Sequence, residues 1–291
     1  MEKTIINRIN YKNLNKQIDF EIVDLQLFFA SRPKKMLESD YRVNFWSLIY
    51  IIAGSGHHYI DFESYAYQKG NIIFIQKNQV HRFVINNQVQ GYIININEPF
   101  FYTIEDFTGD VFLKYLDQFF NFPILEIDTS KTTTNRTLVE LLHQEYSKND
   151  QIVNQQLIAA LFQALILALW QQTVKTHNIL ISRDYEIFKE YRQLVEKHYT
   201  TTRKVETYAK MMGFSRKTIN QVTRKVTGLT AKQYINNRIT LEIKRYLSQG
   251  KLMNYEIADL MGFSDAANMT KFFKNYAKKA PKEFKNSIKF K

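Results

Sequence analysis

The chain spells MMGFS at 211–215 and LMGFS at 260–264, and this repeated pentad constrains the fold more than any other feature. Gly213 and Gly262 stand 49 residues apart. A unit that occurs twice is too few for a solenoid, which needs at least three stacked repeats, so the pattern points to one small module installed as a pair. In the first copy Lys204 to Met211 has the length of a short helix. Gly213 can supply the positive φ that reverses the chain, and Ser215 stands where it caps a helix starting at Arg216. The spacing predicts helix, tight turn, helix near 204–227 and again near 254–277.

Helical periodicity sorts the faces. Tyr208, Ala209, Met212, Phe214, Ile219 and Val222 form the expected inner seam of the first module, which leaves Lys217, Asn220, Gln221 and Arg224 outward. In the second, Ile257, Ala258, Met261, Phe263, Met269 and Phe272 are expected inside, with Ala267, Thr270, Lys271 and Lys274 outward. One residue is gained after Ser264, so Ile219 corresponds to Met269. Between the copies, Ala231 to Ser248 reads as a single helix of about 27 Å. A rod of that reach can hold two reading helices about one turn of B-DNA apart, ~34 Å, so that each enters a successive major groove.

The charge distribution agrees with such a partner. From Thr201 onward there are 20 Lys and Arg against 6 Asp and Glu, a net +14, whereas residues 1–200 carry 20 against 22, a net −2. Positive charge beside phosphates releases condensed counterions, so the basic third suits a polyanion. Asn and Gln match adenine edges, and Arg and Lys match guanine or phosphate. With Arg216, the outward set makes the candidate contacts to double-stranded DNA.

Residues from about 184 to 287 resemble the C-terminal DNA-binding region of the AraC/XylS family of transcription regulators. The second module, IADLMGFSDAANMTKFFKNYAKKAPKEFK, carries that family's long signature. The resemblance implies that Lys217, Asn220 and Gln221 read bases from the first reading helix and Ala267, Thr270 and Lys271 hold the same places in the second. It also shows departures. Lys278 stands where the family usually has glycine, Asn254 occupies a position usually apolar, and Ala266-Ala267 is blander than usual, which shifts the second helix toward phosphate contact.

The amino-terminal part has a different texture. Between Phe45 and Ile96 short β-branched and aromatic runs alternate with turn residues at Gly54-Ser55-Gly56, Lys69-Gly70-Asn71 and Asn86-Asn87, which predicts an antiparallel barrel or sandwich. Trp46, Leu48, Tyr50 and Ile52 share one face of the first strand by the period of two. After Pro123 two helices are expected, over 132–147 and 151–173; the second is apolar nearly all round and needs partners on more than one side, the core of one subunit or a second copy. A domain boundary is expected in KTHNILISRD, with a helix cap at Ser182 or Asp184, giving domains 1–178 and 179–291.

Residues 45–96 resemble the cupin-like barrel of many AraC/XylS members, on YIIAGSGHHYI and KGNIIFIQKNQVHRF. The resemblance implies an α+β chain: a barrel that binds a small molecule, adjoining helices within 132–173 that form a homodimer, and a carboxyl-terminal all-α domain. Trp46, Tyr50, His58, His81 and Phe83 are the candidate effector contacts, read as pointing into the barrel. Metal cupins place two histidines and a glutamate before the first glycine and a histidine after the second. Here Ser47 falls on the glutamate place, Asp40 to Val43 contain no histidine, and His81 alone remains. One imidazole does not make the three protein ligands of a catalytic site, and His57 and His58 should point to opposite faces, so no metal or cofactor is expected.

Several classes are excluded or set aside on composition. With no cysteine, disulfides, thiolate zinc sites and a thiol methyl acceptor are absent. The apolar stretch Leu157 to Trp170 is 14 residues and contains Gln163, short of the ~20 that span a bilayer. MEKTIINRIN lacks the apolar segment and cleavage site of a signal peptide, which predicts a cytoplasmic protein without a membrane partner. The resulting expectation is a non-enzymatic, ligand-controlled activator that contacts RNA polymerase. The rivals are a metal-dependent cupin enzyme and a DNA-binding protein indifferent to ligand.

Overall fold

The computed structural model describes residues 7–9, 19–86, 88–101, 123–126, 132–148, 151–177 and 183–289. These fall into two compact units, one within Asn7–Asn178 and one within Ile179–Lys291. The fold is α+β, and the described strands all lie in the first unit. Among the described residues no helix is long and apolar enough to cross a membrane.

Among the described residues the first unit holds ten strands: β1 (Asn7–Ile9), β2 (Phe20–Asp24), β3 (Tyr41–Val43), β4 (Trp46–Ala53), β5 (Ser55–Ile60), β6 (Glu63–Gln68), β7 (Ile72–Ile75), β8 (Val80–Phe83), β9 (Gln90–Ile96) and β10 (Ile124–Leu125). One sheet has the order β1-β3-β8-β5-β6 and the other β10-β7-β4-β9-β2. Pairing is antiparallel except for β1 with β3. Helix α1 (Leu25–Ala30) starts from the Asp24 carboxylate, which accepts from the amides of Gln26 and Leu27, and is followed by short α2 (Lys34–Leu37) and α3 (Glu98–Phe101).

Strand β4 reads WSLIYIIA because both of its faces are covered. Ile49 and Ile51 pack between the two sheets with Tyr41, Val43, Phe83 and Ile93. Leu48 and Tyr50 face the other way, onto α4 (Thr132–Tyr146) and α5 (Gln151–His177), where Phe162, Leu165 and Leu169 meet Phe20 and Phe74. The unit is therefore three layers deep: sheet, sheet, helix pair. Trp46, Leu48, Tyr50 and Ile52 do share a face, but it is the helix-covered one.

The second unit is helical: α6 (Arg183–His198), α7 (Val205–Met211), α8 (Arg216–Thr227), α9 (Ala231–Gln249), α10 (Asn254–Leu260), α11 (Ala266–Ala277) and α12 (Pro281–Lys289). Ser182 lies outside the described residues, and Asp184 sits inside the first turn of α6 rather than capping it. Ser215 caps α8, its hydroxyl accepting from the Thr218 amide at 3.0 Å. In the second module the extra residue, Asp265, takes that role and accepts from the Asn268 amide at 2.7 Å. Rod α9 runs 19 residues, about 28 Å, with Ile235, Ile239, Ile243 and Leu247 buried along it.

One core position differs from the periodicity reading. Phe273, not Phe272, is the fully buried ring of α11, packed with Phe284 at 5.7 Å between centroids, and Phe272 is half-buried on Phe263 and Tyr276. Adjacent phenylalanines differ by about 100° around the helix, and the wider Phe273 fills the place that Thr223 holds in the first copy. Lys278 takes the left-handed conformation, φ +58, that Gly228 takes at φ +73 after α8. Asn254 opens α10 at an exposed position, where no apolar side chain is required.

Both turn glycines have positive φ, +67 at Gly213 and +66 at Gly262, but their surroundings differ. A Cβ on Gly213 meets nothing within 4 Å, whereas one on Gly262 would fall 1.9 Å from the Thr200 carbonyl oxygen. Gly213→Ala should therefore lower the unfolding free energy of this unit by about 1 kcal/mol, the left-handed penalty alone. Gly262→Ala should lower it by roughly 3 kcal/mol or more, because the Thr200 backbone must also move. Urea unfolding of the full chain followed by circular dichroism measures both, and equal losses would show that the Thr200 approach does not constrain the turn.

Candidate nucleic-acid interface and the barrel interior

Helix α8 is opened by the Ser215 cap, and its residues divide between the module core and the solvent. Ile219, Val222 and Thr223 turn inward, which leaves Lys217, Gln221 and Arg224 exposed at i, i+4 and i+7 on one stripe. Arg216 is exposed and pairs with Glu206 of α7 at 2.8 Å. Asn220 departs from its expected outward placement. Its carboxamide oxygen accepts from the Ala231 amide at 3.0 Å, satisfying a free donor at the start of rod α9. The Ala231 carbonyl is held in turn by the buried Tyr191 hydroxyl at 2.8 Å, so this end of the rod is fixed from two helices.

In α11 the equivalent stripe is Ala267, Lys271 and Lys274, all exposed, and Thr270 is half-buried beside it. The Asn268 amide and side chain bond to Asp265, which holds that carboxylate below its ordinary range and fixes the first turn. The two stripes are related by a shift of 50 positions, so Lys217, Gln221 and Arg224 correspond to Ala267, Lys271 and Lys274. The first copy carries groups that can form paired hydrogen bonds; the second carries charge and a methyl group. Lys225, next to the first stripe, pairs with Asp184 of α6 at 2.5 Å.

In the first unit the five candidate effector residues do not come together. Trp46 and Tyr50 lie on the helix-covered face of β4, because alternate strand residues point to opposite sides. His58, His81 and Phe83 do face the space between the sheets, and His57 is exposed on the other side of β5. His58 Nε2 and His81 Nδ1 lie 3.1 Å apart with both rings buried; the Tyr41 ring is 4.3 Å from His81 and the Phe83 ring 4.9 Å from His58. Burial lowers the His58 pKa to about 3. His81 is lowered by burial and by the neighbouring His58, and burial raises the Tyr41 phenol.

A groove of about 260 Å³ lined by Gln26, Phe29, Ala30 and Ile85 opens beside α1. From it the rings of Phe29, Phe83 and His58 run inward at centroid distances of 5.4 and 4.9 Å. A second buried polar group went unread in the sequence: Ser47 donates to Asn95, whose amide donates to Glu21 at 2.7 Å across neighbouring β4, β9 and β2. Single polar residues in apolar strands carry no local signal that they sit in register. Among the described residues no three His, Cys, Asp or Glu side chains are grouped to hold a metal ion.

Residues 40–180 match a family described as the AraC-like ligand binding domain, and residues 208–287 match the helix-turn-helix domain. The chain belongs to the AraC/XylS family. It is 32% identical over 100 residues to the Msm operon regulatory protein of Streptococcus mutans serotype c, an alignment that takes in 34% of this chain and 36% of that protein. It is 22% identical to the HTH-type transcriptional activator RhaS of Pectobacterium carotovorum over 278 residues, 89% of this chain and 95% of that protein. Among solved structures it is similar to ToxT from Vibrio cholerae, with a TM-score of 0.46, 13% identity, and coverage of 91% of this chain and 97% of that one.

The buried histidine pair makes the first unit sensitive to acid. The unfolded chain takes up protons near pH 6.5, while His58 in the folded chain resists them down to about 3. The stability held by the neutral pair is therefore complete above pH 6.5 and lost as pH falls through that window, by up to about 1.4 kcal/mol per pH unit for each imidazole. Between pH 6.5 and 5.0 the urea midpoint of this unit should fall, and His81→Gln should reduce the slope. A flat profile in the wild type would mean that water already reaches the rings.

Proposed function

We propose that the chain is a sequence-specific DNA-binding transcription regulator, an activator that contacts RNA polymerase, controlled by a small molecule in its first unit. The observation that carries the reading is the pair of equivalent stripes, 217/221/224 and 267/271/274, presented by two capped helices on one rod inside a segment of net +14. Such helices suit successive major grooves, with Lys217, Gln221 and Arg224 as base and phosphate contacts and Lys271 and Lys274 as phosphate contacts. Ala267 offers a methyl to a thymine edge, Thr270 stands at the margin, and Arg216 reaches phosphate by exchanging its Glu206 partner. Asn220 acts through the rod rather than on a base. The reading places the protein in the cytoplasm, where its DNA is.

The effector reading rests on the family and on the aromatic path from the α1 groove to the His58 and His81 pair. A molecule in that path would contact Phe29 and Phe83 and offer a polar group to an imidazole. Trp46 and Tyr50 would sense it only through β4. A ligand controls presentation of the DNA-binding unit to the extent that it binds one arrangement more tightly than another.

Homodimerisation is the natural use of α5. Ile158, Phe162, Leu165 and Leu169 cover the sheet, while Leu157, Ala160, Ala164 and Leu167 form an outward seam at alternating spacings of three and four. That spacing is the seam of paired helices. Leu157→Glu with Leu167→Glu should convert a dimer to a monomer in sedimentation equilibrium without lowering the urea midpoint; an unchanged association constant places the interface elsewhere.

For DNA, Lys217→Ala and Gln221→Ala should each reduce the ratio of specific to random-duplex affinity about tenfold, in keeping with ~1–3 kcal/mol per base contact. Lys274→Ala should weaken both affinities alike and lower the salt slope by about one. Titrations at fixed salt measure these ratios. If the Lys217 and Gln221 variants keep the wild-type ratio, α8 is not the reading helix.

A further inference from the structure

The turn that leads into α7 also touches the second module. Its Thr200 carbonyl stands against the backbone of Gly262. Three residues on, Arg203 Nη2 donates to the carbonyls of Met261 and Gly262, 3.1 Å each, and its guanidinium carbon lies 3.6 Å above the Phe263 ring centroid. Those carbonyls end α10, where orphan acceptors and the helix dipole both favour a cation. Stacking on the ring adds a cation–π contact.

The same residue is tied to the rod. The Arg203 carbonyl accepts from Lys232 Nζ in the first turn of α9 at 2.6 Å. Beyond Phe263 the rings continue to Phe272 at 5.3 Å and Tyr276 at 4.6 Å. The Tyr276 hydroxyl accepts from Asn236 Nδ2, one turn along the rod from Lys232, at 2.7 Å. The contacts form a closed ring: rod, turn before the first module, turn of the second module, face of α11, and rod again. Two modules joined by a rod alone keep the freedom to twist about it. A closed ring removes that freedom.

We propose that Arg203 is a positioning residue that locks the two helix-turn-helix modules in one mutual orientation, so that the chain reads DNA as a gauge of fixed spacing. The inference rests on the DNA-reading function proposed above. A guanidinium suits the place better than an ammonium, because one Nη2 serves both carbonyls while the flat group lies over the Phe263 ring. With the lock intact, engagement of the first helix presents the second at high effective concentration, but only on duplexes whose two halves have the right phase.

The test uses the full chain and a duplex it enriches from a random-sequence pool, together with the same duplex lengthened by one base pair between its two protected halves. The insertion shifts one half by ~3.4 Å and rotates it by about 34°. The wild type should bind the lengthened duplex at least about tenfold more weakly. Arg203→Ala should bind the parent duplex about fivefold more weakly and lose most of the insertion penalty, to within about twofold, while its affinity for either half alone is unchanged. Arg203→Lys should fall between.

A full insertion penalty in Arg203→Ala overturns the proposal, whether or not overall affinity falls, because a purely structural role would lower both affinities together. Should Arg203→Ala fail to fold, Lys232→Met opens the ring at the exposed rod contact and is judged by the same penalty. A wild-type chain that enriches no duplex overturns the DNA-reading function itself, a result distinct from enrichment with an unchanged penalty in the variant.

Discussion

A backbone oxygen at Thr200 occupies the space where a side chain on residue 262 would begin, and the arrangement of the second unit depends on that approach. Gly213 and Gly262 are the same letter in the same turn, yet the first is needed for its φ alone and the second for its φ and its bareness. Because the chain at 200–203 lies directly on the second turn, Arg203 can reach the carbonyls that end α10. A bulkier residue at 262 would lift the turn and break those bonds as well as strain itself.

Rod α9 resists displacement because it is anchored by different chemistry along its length. Its first residue is bonded through both backbone groups, by Asn220 of α8 and Tyr191 of α6. Further on, Arg238 bonds Glu196 of α6 at 2.7 Å and Glu242 at 3.0 Å, and Arg245 meets Glu242 at 3.2 Å. Glu242 and Arg245 are buried, so each charge needs its partner; removing one would leave an uncompensated ion in the interior. The apolar residues Ile235, Ile239, Ile243 and Leu247 supply non-directional attraction, and the charged chain supplies register.

Much of the fold was legible because local rules and tertiary demands coincide. The glycine, serine and apolar seam of each module describe the same turn from three directions, and strands β4 to β9 follow alternating or doubly apolar runs bounded by turn residues. Direction was not legible. Both faces of β4 are apolar because one meets a sheet and the other meets helices, so periodicity grouped Trp46 with Tyr50 but could not say which layer they face. Asn220 failed for a related reason: its partner lies eleven residues away across a turn, and a helical wheel cannot distinguish a solvated carboxamide from one capping another helix. Arg203 and the Ser47, Asn95 and Glu21 row give no periodic signal at all, since their contacts join segments far apart in the chain.

The two modules share geometry but not surface. Lys204, Glu206, Lys210 and Met211 on and beside α7 correspond to Met253, Tyr255, Asp259 and Leu260 on and beside α10, while Lys217, Gln221 and Arg224 correspond to Ala267, Lys271 and Lys274. On the proposed DNA-reading function, the first copy holds the groups able to tell bases apart and the second contributes mainly charge. Phosphate contact carries affinity without sequence information, so a second helix of this kind adds little selectivity if it is free to move. Fixed rigidly to the first, it restricts which duplex positions let both helices dock, and charge that is indifferent to sequence then enforces register. A weakly reading module thus gains its use in selectivity from the stiffness of its attachment.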